Sequence, residues 1–394
     1  MKYFLTEVDP AGFSIPESAQ VFARGDNLMV GIGEKARFEA TGENRFEKLA
    51  EQFSKFSSDI EIIGEIDSSA SSVIAFSAIS FSPESKIKSV LIVPETVLVI
   101  RSDNSWIASF EENFTWPESD APKPQKLDFR QGEQSQQGFL ETVQKALDQI
   151  DSGELSKVVL ARDLVADKPE GFDIRDGLER LRKRFPTCWV YSIDGHFGAS
   201  PELLLRSANR EFSARVLAGT AGRGTDPDVD RAIADGLAHS SKNLHEHNFA
   251  VDSITRAIEP FVENIEADQT PFSLQLPDVW HLATDVHARL TKEASILEVA
   301  SAIHPTAAVA GTPRLQAQSL IGKLEPFDRG VYAGPVGWVG SNGSGELAIA
   351  LRGGRIEQNQ IRAFAGCGIV SGSDAEAELS ETKLKFKAVR SAFD

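Results

Sequence analysis

Cysteine is almost absent from this chain. Two occur in 394 residues, Cys188 and Cys367, far apart and in apolar or glycine-rich company. That excludes a disulfide framework, and two reduced thiols suit a cytosolic protein. Long apolar runs are missing as well. The most apolar early stretch, Val90 to Ile100, is interrupted by Pro94 and Glu95 and is too short to cross a bilayer. The N-terminus meets Glu7 and Asp9 too early to hold the apolar core of a secretory signal, so a cytoplasmic location is expected. Positive charge is in deficit: 41 Lys and Arg stand against 58 Asp and Glu, a net charge of −17. This argues against nucleic acid and against an anionic membrane as partner. A substrate that is itself an anion would need a locally cationic site, which draws attention to Arg352 and Lys385.

With 41% hydrophobic residues the chain can bury a substantial core, and its length allows one large or two ordinary domains. The N-terminal third reads as strands. Leu28 to Ile32, Val73 to Phe81 and Ser89 to Arg101 are β-branched or aromatic runs bounded by Gly, Pro, Asn or Asp. The stretch from Trp116 to Gln137, with Pro117, Pro122, Pro124 and a Gln/Glu-rich tail, reads as a connection. We therefore divide the chain, expected to be one unit over 1–394, into a strand-rich part, 1–125, and a motif-rich part, 126–394. Helical spacing marks Phe139 to Ile150, Asn243 to Val262 and a last helix from Ala375 to Phe393. Strands are expected at Lys157 to Ala166, Thr187 to Ile193 and Trp280 to Leu290. A hairpin is expected over Glu202 to Leu217, around Ser207-Ala-Asn-Arg210, and a three-stranded meander over Tyr332 to Val370. Hairpins with helices between them indicate an α/β protein of the α+β type. Its sheets should be mostly antiparallel and covered by helices, not doubly wound.

Several short constellations carry chemistry-bearing side chains, and each has an ordinary explanation when read alone. In Glu378-Leu-Ser-Glu381-Thr-Lys-Leu-Lys385, the residues Glu378, Glu381 and Lys385 fall within an arc of roughly 60°. Leu379, Phe386, Val389 and Phe393 form the adjoining apolar arc. This is either an i, i+4 ion pair on a wet face or two carboxylates presented to a hard cation such as Mg²⁺. Asn243 and Glu246 share one face of another helix, either as a solvated first turn or as further donors to such a cation. Glycines at strand ends, in Leu217-Ala-Gly219-Thr220 and Phe364-Ala-Gly366-Cys-Gly368, are plain turns or places where backbone approaches an anion. Lys157 and Glu202 each open an apolar strand, where a charge is ordinarily solvated, and His281 lies opposite the apolar face of its strand.

The order of these stretches is more specific than any one of them. Ser156-Lys157-Val-Val-Leu-Ala-Arg162, Ser200-Pro-Glu202-Leu-Leu, Leu217-Ala-Gly219-Thr220 and Lys242-Asn-Leu-His-Glu246-His come first. Trp280-His281-Leu, Ile303-His-Pro-Thr306-Ala-Ala308 and Tyr332-Ala-Gly-Pro-Val-Gly-Trp338 follow. Ala350-Leu-Arg352, Phe364-Ala-Gly366-Cys-Gly368-Ile-Val and the Glu378 to Lys385 helix close the series. From Gln136 to Arg390 the chain resembles the chorismate-binding enzymes: isochorismate, salicylate and aminodeoxychorismate synthases and anthranilate synthase large subunits. The resemblance implies two facing antiparallel sheets wrapped by helices, with Mg²⁺ as cofactor and chorismate as substrate. It implies Glu246 and Glu381 as metal ligands, with Asn243 and Glu378 acting through water. Arg352, Lys385 and the backbone at Gly219, Thr220, Gly366 and Gly368 would hold the substrate carboxylates. His281, Ala308 and Tyr332 would line the ring. Lys157 would be the general base and Glu202 the general acid.

The chemistry suits those residue types. Isomerising chorismate adds water at one ring carbon while a hydroxyl leaves from another, so Lys157 has to be neutral and Glu202 protonated when they act. Lys157 resembles the members that use water. Ala308 resembles isochorismate synthases, whereas Tyr332 resembles salicylate synthases. No Leu-Leu-Glu-Ser stretch of tryptophan-regulated anthranilate synthases occurs in the N-terminal third. Val216 and Trp280 depart from the family pattern. The expected activity is that of an isochorismate synthase, acting as a monomer and feeding menaquinone or siderophore synthesis. A salicylate synthase, an anthranilate or aminodeoxychorismate synthase component, and a silent binding subunit are the alternatives.

Overall fold

Apolar, β-branched runs cut by Gly, Pro and Asn turns pair into two sheets, of 13 and 10 strands among the described residues. The structure is a computed structural model that describes residues 1–276, 279–291 and 294–394; the side chain of Lys242 also lies outside the described set. Neighbouring strands run antiparallel, apart from Lys2–Glu7 beside Glu61–Ile63. Both sheets draw strands from both parts of the chain. The larger runs from Lys157–Asp167 and Gln360–Val370 through Gly353–Ile356, His196–Ser200 and Trp189–Ile193. There it joins Gln20–Arg24, in the register Val190 to Ala23, and continues into Asn27–Ile32, Thr96–Ile100 and Ser105–Ser109. The smaller runs from Val279–Leu290 and Glu211–Gly222 through Leu203–Ala208, Gly345–Ile349 and Pro335–Gly340 to Ile74–Ala78 and Ser89–Val93.

The strands are buried on both sides because each side chain has a different layer to fill. Phe22, Met29, Phe76, Leu91, Trp106, Trp189 and Leu205 meet between the sheets in one core. Val21, Ala23, Val30 and Val190 point the other way, into a second core shared with Leu178, Leu181, Phe386, Val389 and Phe393. The helices Arg175–Arg184 and Ala375–Arg390 thus cover the outer face of the larger sheet. Truncating an inter-sheet aromatic such as Phe76 to Ala costs about 3–5 kcal/mol.

Two expectations need correction. Ser89 to Arg101 is not one strand: Pro94-Glu95 divides it into Ser89–Val93 and Thr96–Ile100, which lie in different sheets. The segment from Tyr332 to Val370 holds four strands, the first two in the smaller sheet and the last two in the larger. In both cases apolar runs of the same character continue on either side of the break, so the pattern does not show that the chain crosses from one sheet to the other. The hairpin after Glu202 forms as expected, with Asn209 and Arg210 both at positive φ, the conformation a two-residue β-hairpin loop requires. Among the described residues no helix is long and apolar enough to span a membrane. Both cysteines are buried free thiols.

Candidate active site

A cavity of about 190 Å³ lies between the two sheets at the end where the motif-bearing strands and helices converge. Lys157, Gly366 and Gly368 reach it from the larger sheet, on adjacent strands in the register Val159 to Gly368 and Ala161 to Gly366. Gly219, Thr220 and His281 reach it from the smaller one. Asn243 and Glu246 project from the first two turns of helix Ser241–Ile258, which Ser240 caps through the Asn243 N–H. Glu378, Glu381 and Lys385 project from helix Ala375–Arg390, capped by Asp374. Glu202 and Arg352 stand where the chain crosses between sheets, and Ala308 and Tyr332 come from connecting loops.

Lys157 and Glu202, read in isolation as solvated strand-edge charges, are 6% and 3% exposed. Lys157 Nζ donates to Glu246 Oε1 at 2.7 Å. Burial pushes the Glu202 carboxyl up to about 8, against the opposing pull of Lys157, Lys385 and Arg352. At neutral pH it therefore carries a proton. Gly368 makes room for the lysine, since a Cβ there would stand 3.0 Å from Lys157 Cε. At Gly366 a Cβ would meet Leu160 O at 2.9 Å and the Tyr332 hydroxyl at 3.1 Å. Tyr332 is fixed by stacking on Phe364, with ring centroids 5.0 Å apart.

The cationic wall is built around His281. Arg352 Nη2 approaches His281 Nε2 at 2.9 Å, and because arginine can only donate, Nε2 accepts. The ring proton then sits on Nδ1, facing Thr220 Oγ1 at 3.1 Å and Gly219 O at 3.4 Å. Burial, followed by Arg352 and Lys385, pushes His281 well below the usual imidazole range, which keeps it neutral. Arg352 adopts a left-handed backbone at φ 52°, an uncommon state for arginine that this contact helps to hold. Gly219, at φ 82°, forms a bulge between Ala218 and Thr220 against Asn243.

The carboxylates form a loosely balanced set. Lys385 Nζ bonds Glu381 Oε1 at 2.6 Å and Gly366 O at 2.8 Å. Burial, then the charge of Glu381, raises the Glu378 carboxyl, as expected where two acids share too little countercharge. Oxygen donors in this state suit a hard divalent cation. Among the described residues, however, no three His, Cys, Asp or Glu side chains are arranged as a closed metal cage. Glu246 leans to Lys157 and Glu381 to Lys385. Such an open set matches Mg²⁺, which keeps several waters and takes few protein ligands.

Sequence reasoning passed over Arg329. It is buried beside the cavity, where it forms a two-pronged ion pair with Glu325 at 2.6 and 2.8 Å. It also donates to Val309 O at 3.0 Å and Val159 O at 2.8 Å, which ties two cavity walls together. Glu325, four residues before Arg329, was the available signal, but that spacing is ordinary on any helix. His247 was noted only as part of a motif. It anchors its helix to the smaller sheet through Thr284 Oγ1 at 2.7 Å.

The chorismate binding enzyme family matches residues 96–394, and the chain belongs to that family. Isochorismate synthase DhbC of Bacillus subtilis is 30% identical over 98% of this chain and 95% of its own. Isochorismate synthase MenF of the same organism is 31% identical over 92% of this chain and 85% of its own. The crystal structure of DhbC from Bacillus anthracis, 27% identical, superposes with a TM-score of 0.79 over 95% of this chain and 96% of that one.

Proposed function

We propose that this protein is an isochorismate synthase, an isomerase that converts chorismate reversibly to isochorismate. The observation that carries this reading is the pair of buried groups, Lys157 and Glu202, lining one cavity from different sheets, with the acid held protonated near neutral pH. Arg352 and Lys385, with the backbone at Gly219, Thr220, Gly366 and Gly368, hold the two substrate carboxylates; His281, Ala308 and Tyr332 shape the ring pocket. Lys157 takes a proton from water as its oxygen bonds to one ring carbon. Glu202 gives its proton to the hydroxyl that leaves another ring carbon, so one water enters and one departs. In this structure Glu246 occupies the Lys157 amine, so the base form requires that contact to open. Mg²⁺ held by Glu246 and Glu381, with Asn243 and Glu378 through water, would neutralise and orient the ring carboxylate. We place the enzyme in the cytoplasm, acting as a monomer, with its product feeding menaquinone or siderophore synthesis.

Incubation of the purified protein with chorismate and Mg²⁺, with chromatographic resolution of products, tests this. Isochorismate should form without ammonia or glutamine, and the reverse reaction should run. Chelation should stop turnover and added Mg²⁺ restore it. Salicylate with pyruvate as main products, anthranilate or aminodeoxychorismate formed only with ammonia, or activity surviving full chelation would each overturn it.

A further inference from the structure

A second, smaller cavity of about 50 Å³ opens at the seam between the sheets, lined from strands Gln20–Arg24 and Asn27–Ile32 of the larger and Leu203–Ala208 and Gly345–Ile349 of the smaller. Its polar lining is Arg24, Asn27, Arg101, Arg206 and Glu346, and none of these residues lines the cavity described above. Three guanidiniums face one carboxylate, in a chain whose net charge is −17. None of the three makes an ion pair within 4.0 Å among the described residues. Arg24 donates to Thr187 O at 3.2 Å and stacks over Trp189 at 4.1 Å, while Arg101 reaches Met29 Sδ at 3.6 Å. Glu346 is buried, and its Oε1 already accepts from Trp189 Nε1. Arg215 is close enough to repel Arg24 but is itself paired with Asp285 at 2.7 Å. Burial first, then that repulsion, pushes Arg24 down from the usual guanidinium range; burial does the same to Arg101, with Arg206 adding to it. The charge of Glu346 pulls both guanidiniums the other way, so three cations share one carboxylate here.

We propose that this cavity binds a small tetrahedral dianion, either free phosphate or the phosphate group of a phosphomonoester, clamped between the two sheets. Guanidinium forks match phosphate oxygens in pairs, and three forks arriving from both sheets require acceptors in several directions. A flat carboxylate satisfies one fork; a tetrahedral anion serves all three. The cavity is several times the roughly 10–15 Å³ that one water needs, enough for such a head group.

The test is a calorimetric and thermal-unfolding titration of the full chain with sodium phosphate, and separately with glycerol 3-phosphate, each against sodium chloride at matched ionic strength. Phosphate should bind saturably and raise the unfolding midpoint beyond the chloride control. Binding of the ester as well identifies an open phosphomonoester site; binding of phosphate alone identifies a closed inorganic site. Arg206→Gln, at an exposed side chain whose loss the fold tolerates, and Arg101→Gln should each weaken binding about tenfold or more. Glu346→Gln should tighten it, because the one opposing charge is removed. Arg352→Ala should leave the response in place, which separates this site from the chorismate cavity. A response unchanged in Arg206→Gln and Arg101→Gln, or lost in Arg352→Ala, overturns the proposal. So does the absence of any saturable response in the wild type.

Discussion

The chain crosses between its sheets through a Pro-Glu pair at two places, and the two crossings end differently. Pro94-Glu95 carries it from Ser89–Val93 in the smaller sheet to Thr96–Ile100 in the larger. Pro201-Glu202 carries it back, from His196–Ser200 to Leu203–Ala208. Both glutamates serve the backbone alike: Phe110 N–H donates to Glu95 O at 3.0 Å and Ile349 N–H to Glu202 O at 3.1 Å. The side chains part company. Glu95 is exposed, whereas Glu202 is buried in the cavity that helices Ser241–Ile258 and Ala375–Arg390 help to line. The same local device is a plain connection in one region and the seat of an acid in the other. What differs is the covering, and desolvation converts covering into a raised pKa.

The sharpest way to break this comparison is to remove the acid and its partner. Glu202→Gln and Lys157→Ala should each lower turnover by about 10²–10⁴-fold, measured as chorismate consumption, with substrate binding largely kept. The double variant should fall little further, because losing either group already stops the coupled transfers. Lys157→Arg should not rescue, since a guanidinium stays protonated. Near-normal turnover in Lys157→Ala would take the lysine out of the chemistry and overturn the paired assignment.

Arg352, at another crossing, should show a smaller effect of a different kind. In the proposed mechanism Arg352→Ala removes a charge-assisted contact worth about 1.5–3 kcal/mol, so the apparent affinity for chorismate should fall roughly tenfold to a hundredfold. His281→Ala should reproduce part of that loss by freeing the guanidinium from its 2.9 Å contact. Unchanged affinity in Arg352→Ala would remove it from the site.

A pH series sharpens the comparison further. Turnover should decline as pH rises through about 8, where Glu202 loses its proton. Stability carries the same sign. The folded state holds the Glu202 proton more tightly than the unfolded chain, so between the ordinary value of 4.5 and about 8 the native state binds more protons and stability falls with rising pH. Glu202→Gln should flatten that portion of the unfolding midpoint against pH; an identical slope in wild type and variant would contradict the burial argument. At the other crossing, Glu95→Gln should change stability within about 0.5 kcal/mol and leave turnover alone, as a surface substitution does. A large loss of activity there would end the contrast between the two crossings.

Much of the site was legible because its spacing along one element is fixed by local geometry. Glu378, Glu381 and Lys385 fall on one helical face whatever surrounds them, and the Glu381–Lys385 pair forms at the expected i, i+4 spacing. Asn243 and Glu246 share a turn for the same reason. The ordered motifs extended this to the family and so to the two-sheet architecture. The crossings were not legible, since an apolar run such as Ser89 to Arg101 looks alike whether it stays in one sheet or changes sheets at Pro94. Arg329 was hidden because its value comes from Val309 and Val159, carbonyls remote in sequence.

Taken alone, the sequence determined the periodicities, the turn at Asn209-Arg210, the faces of the two acidic helices and the family, all properties set by neighbours a few residues apart. The tertiary structure decided which charges lose their water. It buried Lys157 against Glu246 from a helix 89 residues away, set His281 under Arg352, and covered Glu202 while leaving Glu95 in solvent. Desolvation depends on every atom packed around a group, and those atoms are brought together by folding, not by adjacency along the chain.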